Sequence, residues 1–500
     1  MVFESSAAPD PTIAAADGRE GALRRAARVA RAIGELSTRA PEAIELGEIF
    51  AKAGHELALV GGPVRDALLG RPVDDLDLTT DARPEQVIAL VSDWADAIWD
   101  VGIAFGTVGL RKGDVRLEVT TYRAESYDRD SRKPEVSYGD SIDGDLGRRD
   151  FTINAMAVRL PSLVFVDLFD GLSDLDEGVL RTPGAAEDSF SDDPLRMMRA
   201  ARFVSQLQVG VAPDVVAAIR DMSDRIAIVS AERVRDELVK LVMGERPQQG
   251  LALLVETGLA AHVLPELPAL ALEVDEHHRH KDVYEHSLIV LEQAIDLETS
   301  HLPASGPDLV LRLAALLHDI GKPRTRKFEP GGRVSFHHHE MVGARMVRKR
   351  LTALRFSNVI VDQVSLLTEL HLRFHGYGEG DWTDSAVRRY VRDAGEQLTR
   401  LHKLTRADCT TRNKSKADRL SRVYDGLEAR ITVLEEEEQL AAIRPDLDGT
   451  AIMAILDIAP GREVGEAYRF LMELRLDQGP LDPEVATTAL RQWWSDRSSS

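Results

Sequence analysis

Residues 57–77 read LALVGGPVRDALLGRPVDDLD, and this stretch decides how the N-terminal half of the chain folds. The apolar run Leu57–Val60 predicts a strand, and the glycine pair after it predicts a tight turn into a helix near Pro63–Leu69. Paired glycines let backbone N–H groups approach an anion, and the N-terminus of the next helix favours negative charge. A plain turn is the alternative, because most glycine pairs are only turns.

Two carboxylates end this stretch. Asp75 and Asp77 flank Leu76 in a short apolar strand, and strand side chains alternate between faces, so both acids point the same way. Two carboxylates on one strand face repel each other unless a cation lies between them. Mg²⁺ is the natural cation, because it is a hard ion that binds carboxylates together with substrate phosphate oxygens.

A third acid fits the same arrangement. In the predicted strand Val115–Thr121, Glu118 takes the face opposite to its two apolar neighbours. Three acids on adjacent strands can hold two metals, one activating a hydroxyl for in-line attack and one neutralising charge on leaving pyrophosphate. A solvated strand face is the alternative, and Gly61, Gly62 and Arg65 upstream favour the metal site.

The stretch Leu59–Asp77 resembles the head signature of the polymerase-β-type nucleotidyltransferases, within which it is similar to class II tRNA CCA-adding enzymes and bacterial poly(A) polymerases. The segment Arg148–Asn154 resembles the second motif of that family, which implies that Arg149 contacts nucleotide phosphates and that Asp150 lies near the ribose. An arginine grips phosphate oxygens in bidentate fashion. A surface salt bridge before a strand is the alternative.

A helix is predicted over residues 192–206, with Pro194 in an early turn and Asp192 or Asp193 as its cap. Asp193 and Arg196 lie three residues apart on one face of this helix. The resemblance implies that they hydrogen-bond the Watson–Crick edges of CTP and ATP as a protein template, with Arg199 also in the nucleotide site. A guanidinium fork and an acceptor can read a base edge. An ordinary helical salt bridge is the alternative.

A second set of chemical residues consists of histidines and aspartates. The adjacent pair His318-Asp319 follows an apolar helix, and burying both groups costs free energy unless a partner is present. A divalent metal supplies that partner, and imidazole with carboxylate ligands suits Mn, Fe, Ni or Zn. The pattern resembles the HD-domain phosphohydrolases, in which Mg²⁺ is a further candidate metal.

This resemblance implies a set of four ligands for one metal and two further ligands for a second metal. The four are His286, His318, Asp319 and Asp408, and the further two are His339 and His371. We expect His337 and His338 to lie in a polar loop, and Lys322 is a candidate phosphate ligand. Some CCA-adding enzymes with such a domain act as phosphatases or cyclic phosphodiesterases. A degenerate, purely structural HD domain is the alternative.

The patterns together predict an α+β fold, in which a small mixed α/β nucleotidyltransferase head precedes a largely all-α neck, an HD domain and a helical tail. Further strands are expected at 76–78, 107–110 and 164–169, and a helix near 84–97. The expected boundaries are 1–20 for a disordered N-terminus, 21–183 for the head with its N-terminal helix, 184–265 for the neck, 277–425 for the HD domain and 426–500 for the tail.

Charge and composition limit the partners. The net charge of −21 argues against broad adhesion to nucleic acid, but residues 341–355 hold five basic residues and no acid. Residues 388–422 hold 11 Lys or Arg against 4 Asp or Glu. Both segments are either solvated helix faces or phosphate contacts. With Cys409 alone, no internal disulfide can form, and no signal pattern or membrane-length apolar run is present, so we expect a cytoplasmic protein.

The hypothesis favoured by the sequence is template-independent addition of C, C and A to the 3′ end of tRNA from CTP and ATP. A poly(A) polymerase is the first alternative, although those enzymes often end in a long basic tail and this tail is acidic at 435–438. Enzymes that add only A or only CC stay open, because the loop Tyr122–Arg148 helps to decide specificity in this family. A primarily HD-type phosphohydrolase with a nucleotide-binding head is the third hypothesis. No oligomeric state is predicted.

Overall fold

A computed structural model describes most of the chain: residues 11–73, 75–99, 102–103, 106–123, 138–139, 141–271, 282–330, 334–374, 382–411, 413–438 and 444–498. The chain divides into two compact units, which comprise residues 1–263 and 264–500. We call them the first and second units. The predicted α+β class is confirmed, since the first unit contains a mixed sheet and the second is almost entirely helical.

A mixed sheet of seven strands lies at the centre of the first unit. In chain order the strands are β1 (Leu57–Val60), β2 (Asp75–Thr80), β3 (Ala97–Trp99), β4 (Thr107–Lys112), β5 (Val115–Thr121), β6 (Met156–Leu160) and β7 (Val164–Asp167). Their order across the sheet is β3-β4-β5-β2-β1-β6-β7, and each neighbouring pair is antiparallel except β2 with β5.

Burial explains the sequence patterns of the two central strands. All four residues of β1 are buried, which accounts for its unbroken apolar run. The first residues of β2 instead alternate between exposed and buried, so its two acids share an open face of the sheet. The predicted bounds of β1 and β5 are confirmed to the residue.

Helices surround the sheet and then form the remainder of the first unit. They are α1 (Pro11–Arg39), α2 (Pro41–Lys52), α3 (Gly62–Leu68), α4 (Pro84–Val91), α5 (Ile142–Gly147), α6 (Gly171–Glu177), α7 (Ala186–Asp192), α8 (Leu195–Leu207), α9 (Pro213–Met222), α10 (Ala231–Val242), α11 (Pro247–Glu256) and α12 (Ala260–Val263). A short parallel pair, β8 (Val179–Leu180) and β9 (Gly210–Val211), joins the segment before α7 to the segment after α8.

The described residues of the second unit form helices and a small antiparallel strand pair, β10 (Lys327–Phe328) and β11 (Val334–Ser335). Its helices are α13 (Val283–Ser300), α14 (Leu309–Leu317), α15 (Lys322–Thr325), α16 (His339–Ala353), α17 (Asn358–Leu370), α18 (Asp384–Ala394), α19 (Leu398–Ala407), α20 (Lys414–Glu438), α21 (Gly449–Leu456), α22 (Arg462–Gln478) and α23 (Pro483–Ser498). The last three helices share an apolar cluster that includes Ile452, Leu471 and Leu490.

Three local predictions were wrong. The expected disordered N-terminus overlaps α1, whose helix begins at Pro11, and residues 1–10 lie outside the described residues. The helix expected at 84–97 ends at Val91. Ala97, the last residue of the expected range, begins the edge strand β3 instead. The helix expected from residue 192 is broken, because Asp192 ends α7 and α8 begins at Leu195 after a proline that cannot donate a backbone hydrogen bond.

The described helices include none that is both long and apolar enough to cross a membrane.

A buried ion pair stabilises the second unit. Glu298 on α13 accepts two hydrogen bonds of 2.7 Å from Arg312 on α14, and both side chains are almost completely buried. Glu298 also accepts from the backbone N–H of Asp308, so its carboxylate joins two helices and the loop between them. Removing one partner of such a pair leaves an uncompensated buried charge.

We expect Glu298→Ala to lower the free energy of unfolding of the second unit by about 3–5 kcal/mol, measured by urea denaturation. The matched control is Asp362→Ala, which removes the carboxylate of an exposed pair with Arg348 and should cost no more than about 1 kcal/mol. Equal effects of the two variants would contradict the importance of burial here.

Candidate functional site

Three carboxylates meet on one face of the central sheet, where β2 pairs with β5. Asp77 lies directly opposite Glu118 in the parallel register, and Asp75, two residues earlier on β2, shares the same face. Leu76 and Leu78 are buried on the other face. The predicted placement of the three acids is therefore confirmed, and their role as metal ligands stays a prediction.

The electrostatics of this face favour a cation. Withdrawal from bulk water raises the pKa of the Asp77 carboxyl; Arg149 opposes that rise, while the nearby carboxylates of Glu118 and Asp75 add to it. A divalent cation among the three acids would relieve their mutual repulsion. Because every ligand atom here is a carboxylate oxygen, the site fits Mg²⁺ in particular.

The acids open onto a cleft of about 690 Å³. Among the described residues, Trp99, Arg111 and Arg116 also line it. A volume of this order is typical of small-ligand sites. These three residues were not predicted from the sequence, although the alternation of β5 places Arg116 on the same face as Glu118.

Gly61 explains how the turn after β1 meets the second motif. Its backbone has a φ of +73°, and a Cβ atom there would lie 2.7 Å from a terminal nitrogen of the Arg149 guanidinium. Only glycine suits both the conformation and the close approach. Arg149 also forms an ion pair of 3.3 Å with Asp145. The turn and Arg149 thus lie together beside the acids, as a phosphate site requires.

Gly62 begins α3, and Arg65 in the first turns of that helix is held by its neighbours. Its guanidinium donates to the side-chain oxygen of Asn154 at 2.7 Å and to Asp66 at 2.8 Å. Asn154 in turn donates to Asp150 at 2.9 Å. The side-chain amide of Asn154 therefore links the head signature (Leu59–Asp77) to Asp150 of the second motif. This role of Asn154 was not predicted from the sequence.

Asp150 is buried and fully engaged. One oxygen accepts from the backbone of Phe151 and from Asn154, and the other accepts from Arg199 at 2.7 Å. Burial alone would raise the pKa of the Asp150 carboxyl, but Arg199 and Asn154 outweigh it and hold that pKa well below its usual range. The geometry favours a structural role for the pair Asp150–Arg199, and direct nucleotide contacts of these two residues stay predictions.

The junction between α7 and α8 holds the predicted base-reading residues. Within the described part of the chain, Asp193 pairs with Arg233 at 2.8 Å and accepts from the backbone of Leu195, so its partner is not Arg196. Arg196 donates to the carbonyl oxygen of Arg148 at 2.6 Å and to Ser189 at 2.8 Å. The alternative of a simple helical salt bridge between Asp193 and Arg196 is therefore not observed. The predicted aspartate cap is wrong, because Pro194 occupies the N-cap position of α8.

The predicted histidines and aspartates converge in the second unit. They lie at the ends of four helices and within α13, and they form two groups whose ligand atoms lie within 4.8 Å of one another: His286, His318 and Asp408 in one, Asp319, His339 and His371 in the other. The groups adjoin, because Asp319 lies 3.2 Å from His318 and 3.1 Å from His339. The prediction that these side chains cluster is confirmed, with Asp319 grouped differently from the expected first set.

Hydrogen bonds fix the orientation of the histidine rings. The Nδ1 atoms of His318, His339 and His371 lie 2.7–2.9 Å from the backbone oxygens of residues three positions earlier. Since a carbonyl can only accept, each Nδ1 carries a proton, which leaves Nε2 as the ring nitrogen that could bind a metal. These buried Nε2 atoms have no hydrogen-bond partner among the described residues. Imidazole nitrogens converging with carboxylates fit divalent metal ions, and the carbonyls supply the orienting contacts of such sites.

The surroundings of this cluster agree with the residue assignments made from sequence. His337 and His338 are exposed and outside the cluster, whereas the neighbouring His339 is buried within it. Lys322 lies 2.9 Å from Asp319, where its ammonium group faces the same centre. A phosphate bound there would meet a cation beside the metal ligands, although this role of Lys322 stays a prediction.

Most of the basic side chains in the two segments suspected of RNA contact have acidic or carbonyl partners. Arg350 pairs with Glu266, and Arg348 pairs with Asp362. Arg388 donates to a backbone oxygen of α22, and Arg389 pairs with carboxylates of the same helix. Neutralised arginines attract phosphate weakly, so packing within the second unit accounts for much of this charge.

Three family profiles match the chain. Residues 57–181 match the poly(A) polymerase head domain, residues 210–270 match a probable RNA- and SrmB-binding site of polymerase A, and residues 283–413 match the HD domain. The first covers the sheet with its three acids, and the third covers the histidine–aspartate cluster.

The similar proteins are A-adding or CCA-adding enzymes. The chain is 32% identical over 449 residues to an A-adding tRNA nucleotidyltransferase of Deinococcus radiodurans, which covers 89% of this chain and 96% of that protein. It is 42% identical over 236 residues to a CCA-adding enzyme of Lactobacillus delbrueckii, 47% of this chain and 57% of that enzyme. A crystal structure of the Bacillus stearothermophilus CCA-adding enzyme in complex with CTP is similar over 92% of this chain and 99% of that one, with 25% identity and a TM-score of 0.65.

Proposed function

This chain belongs to the family of nucleotidyltransferases that includes the A-adding and CCA-adding tRNA enzymes, and we propose that it adds C, C and A to the 3′ end of tRNA from CTP and ATP. The observation that carries the proposal is the placement of Asp75, Asp77 and Glu118 on one face of the sheet, beside the Gly61 turn and Arg149. Nucleotide transfer requires carboxylates and a triphosphate site in this proximity.

The reaction joins one nucleotide to the RNA and releases pyrophosphate. The terminal 3′-oxygen of the RNA forms a bond to the α-phosphorus of the nucleotide, and the bond from that phosphorus to the bridging oxygen breaks. Pyrophosphate leaves with the electron pair, and the hydroxyl proton passes to water. Mg²⁺ held by Asp75, Asp77 and Glu118 would supply activation of the hydroxyl and neutralisation of charge on the leaving group.

The residues around β1 and before β6 suit the triphosphate. The backbone at Gly61 and Gly62 and the N-terminus of α3 offer N–H groups to an anion, while Arg149 supplies positive charge. Arg65 is oriented by Asn154 and adds a second guanidinium. The nucleotide therefore binds with its phosphates beside Asp77.

Selection of the base falls to Asp193 and Arg196. Both side chains are only partly buried at the junction of α7 and α8, and their present partners are exchangeable polar groups. A guanidinium fork donates two hydrogen bonds to a base edge while a carboxylate accepts from an amino group. This pair accepts C and A without a nucleic-acid template.

We expect Arg196→Ala to reduce discrimination between correct and incorrect nucleotides by about 5- to 150-fold, since a good bidentate contact contributes roughly 1–3 kcal/mol. The measurement is kcat/KM for CTP, ATP, UTP and GTP on tRNA of defined 3′ end. Arg235→Ala is the matched control, because Arg235 lies on α10 and pairs with Asp236. Unchanged nucleotide preference in Arg196→Ala would contradict the assignment.

Addition of A alone is the second candidate, because the relative aligned over almost the whole chain is an A-adding enzyme. Three tRNA substrates separate the candidates: one lacking CCA, one ending in C and one ending in CC, each given CTP alone, ATP alone or both. A CCA-adding enzyme extends the first two with CTP and completes all three with both nucleotides. An A-adding enzyme extends only the third, and long A tails would identify a poly(A) polymerase.

We also propose that the histidine–aspartate cluster hydrolyses phosphate esters. The convergent Nε2 atoms and the adjacent carboxylates support binding of one or two divalent metals, and Lys322 supports an anionic substrate. Bound metal would polarise a phosphoryl oxygen and activate water. Mn, Ni, Fe, Zn and Mg²⁺ are the candidate ions.

A further inference from the structure

Two rows of side chains cross the open face of the sheet. In the first row, β-pairing places Asp77 opposite Glu118, Glu118 opposite Gly109, and Gly109 opposite Trp99. The row therefore runs from the acids on β2 to the edge strand β3. Trp99 stands at the end of the row away from Asp77. The proposed nucleotide transfer assigns no role to Trp99.

The second row runs parallel to the first. It places Asp75 opposite Arg116, and Arg116 opposite Arg111. Both arginines are exposed, and they line the cleft together with the three acids. Within the described part of the chain, no carboxylate lies within ion-pair distance of Arg116, so its charge is available to a ligand.

Gly109 makes room for the indole ring. A Cβ atom on Gly109 would lie 1.9 Å from Nε1 of Trp99 and 2.2 Å from the next ring carbon, so the ring lies directly over the glycine backbone. The indole is half-buried and lines the cleft beside Glu118. A flat aromatic surface with arginines beside it is how proteins bind single-stranded nucleic acid, by stacking the bases and pairing with the phosphates.

The sheet order separates this surface from the triphosphate site. The residues assigned to the triphosphate follow β1 or precede β6, on one side of β2, whereas β5, β4 and β3 lie on the other side. In-line attack needs the incoming hydroxyl and the leaving pyrophosphate on opposite sides of the α-phosphorus. The hydroxyl therefore approaches over β5, and the strand that carries it lies over β4 and β3.

We propose that Trp99, Arg111 and Arg116 bind the last nucleotides of the RNA strand that is extended. Trp99 stacks on the base of the terminal nucleotide, and the two arginines pair with the phosphates next to it. This inference rests on the proposed function and identifies the second substrate site of the head. No base-specific contact is involved, so the same surface receives the RNA end before each of the successive additions.

Trp99→Ala is expected to raise KM for tRNA about tenfold, with KM for CTP and ATP unchanged at saturating tRNA. Trp99→Phe should recover most of the loss, because phenyl rings also stack. Arg116→Gln should weaken tRNA binding and reduce by about one the slope of log affinity against log salt concentration. Lys52→Ala, an exposed change on α2, is the control and should leave both constants unchanged.

A tRNA whose terminal nucleotide lacks its base tests the stacking contact itself. The wild-type protein should bind this RNA about as weakly as Trp99→Ala binds normal tRNA, and Trp99→Ala should show no further loss on it. A tenfold loss in Trp99→Ala that persists on the base-free RNA, or an unchanged KM for normal tRNA, would overturn the proposal. If the wild-type protein adds no nucleotide to any tRNA, the proposed function has failed instead.

Discussion

Replacing Asp77 by Asn is expected to reduce nucleotide addition to tRNA by about 10³-fold or more, because metal stabilisation of the transition state contributes several kcal/mol. Asp77 lies opposite Glu118 and next to Asp75 on the same face, so it is central among the three carboxylates that would hold the metal. Asparagine keeps the shape of the side chain but not its charge. The measurement is kcat/KM for CTP at saturating Mg²⁺.

The Asp77→Asn variant also distinguishes an effect on catalysis from an effect on folding stability. The raised pKa of the Asp77 carboxyl means that the folded protein disfavours its charged form, so removal of the charge should raise the free energy of unfolding when chelator is present. Thermal melting in EDTA measures this effect. Asp93→Asn, at an exposed position after α4, is the control for both assays. Full activity of Asp77→Asn, or its unfolding, would contradict the assignment.

Replacing Asp319 by Asn is expected to abolish hydrolysis of phosphate esters by the second unit and to remove its bound metal. Asp319 lies within 3.9 Å of His286, His318, His339 and His371, so both groups of ligands depend on it. Metal content is measured by elemental analysis of protein loaded with Mn²⁺ or Ni²⁺, and hydrolysis with an aryl phosphate and a 2′,3′-cyclic nucleotide.

Nucleotide addition provides the internal comparison for this second variant. Because the carboxylates of the sheet lie in the first unit, Asp319→Asn should still extend tRNA at the wild-type rate. His338→Gln changes an exposed histidine outside the cluster and should retain metal and hydrolysis. Hydrolysis by the metal-free variant at the wild-type rate would place the activity elsewhere, and wild-type protein that binds no metal would leave the cluster a structural element.

Local sequence rules predicted the parts of the head that depend on neighbouring residues. Alternation along a strand sufficed to place Asp75 and Asp77 on one face, and an unbroken apolar run gave β1 its bounds. The neighbour relation of β2 and β5 joins segments far apart in the chain, and the resemblance to a known head made it predictable. Trp99 had no such signal, because its importance depends on the register of β3, β4 and β5 and on the absence of a side chain at Gly109.

For other residues, burial in the folded structure determined a role that sequence spacing left open. Asp150 was expected at the ribose, but its oxygens accept from Asn154, from the backbone and from Arg199, contacts that only the packed structure reveals. The basic segments likewise had no evident partners in the sequence, and several of their arginines pair with carboxylates such as Glu266 and Glu473. Conversely, His339 differs from its two neighbours only in burial, and that difference places it among the candidate metal ligands.

The measurement that tests the central claim most directly is sequencing of RNA 3′ ends after incubation of tRNA lacking CCA with CTP, ATP and Mg²⁺. The wild-type protein should produce tRNA ending in CCA and then stop, and the Asp77→Asn variant should leave the RNA unchanged. Unchanged RNA with the wild-type protein, or CCA addition by the variant at the wild-type rate, would contradict the assignment of nucleotide transfer to the carboxylates of β2.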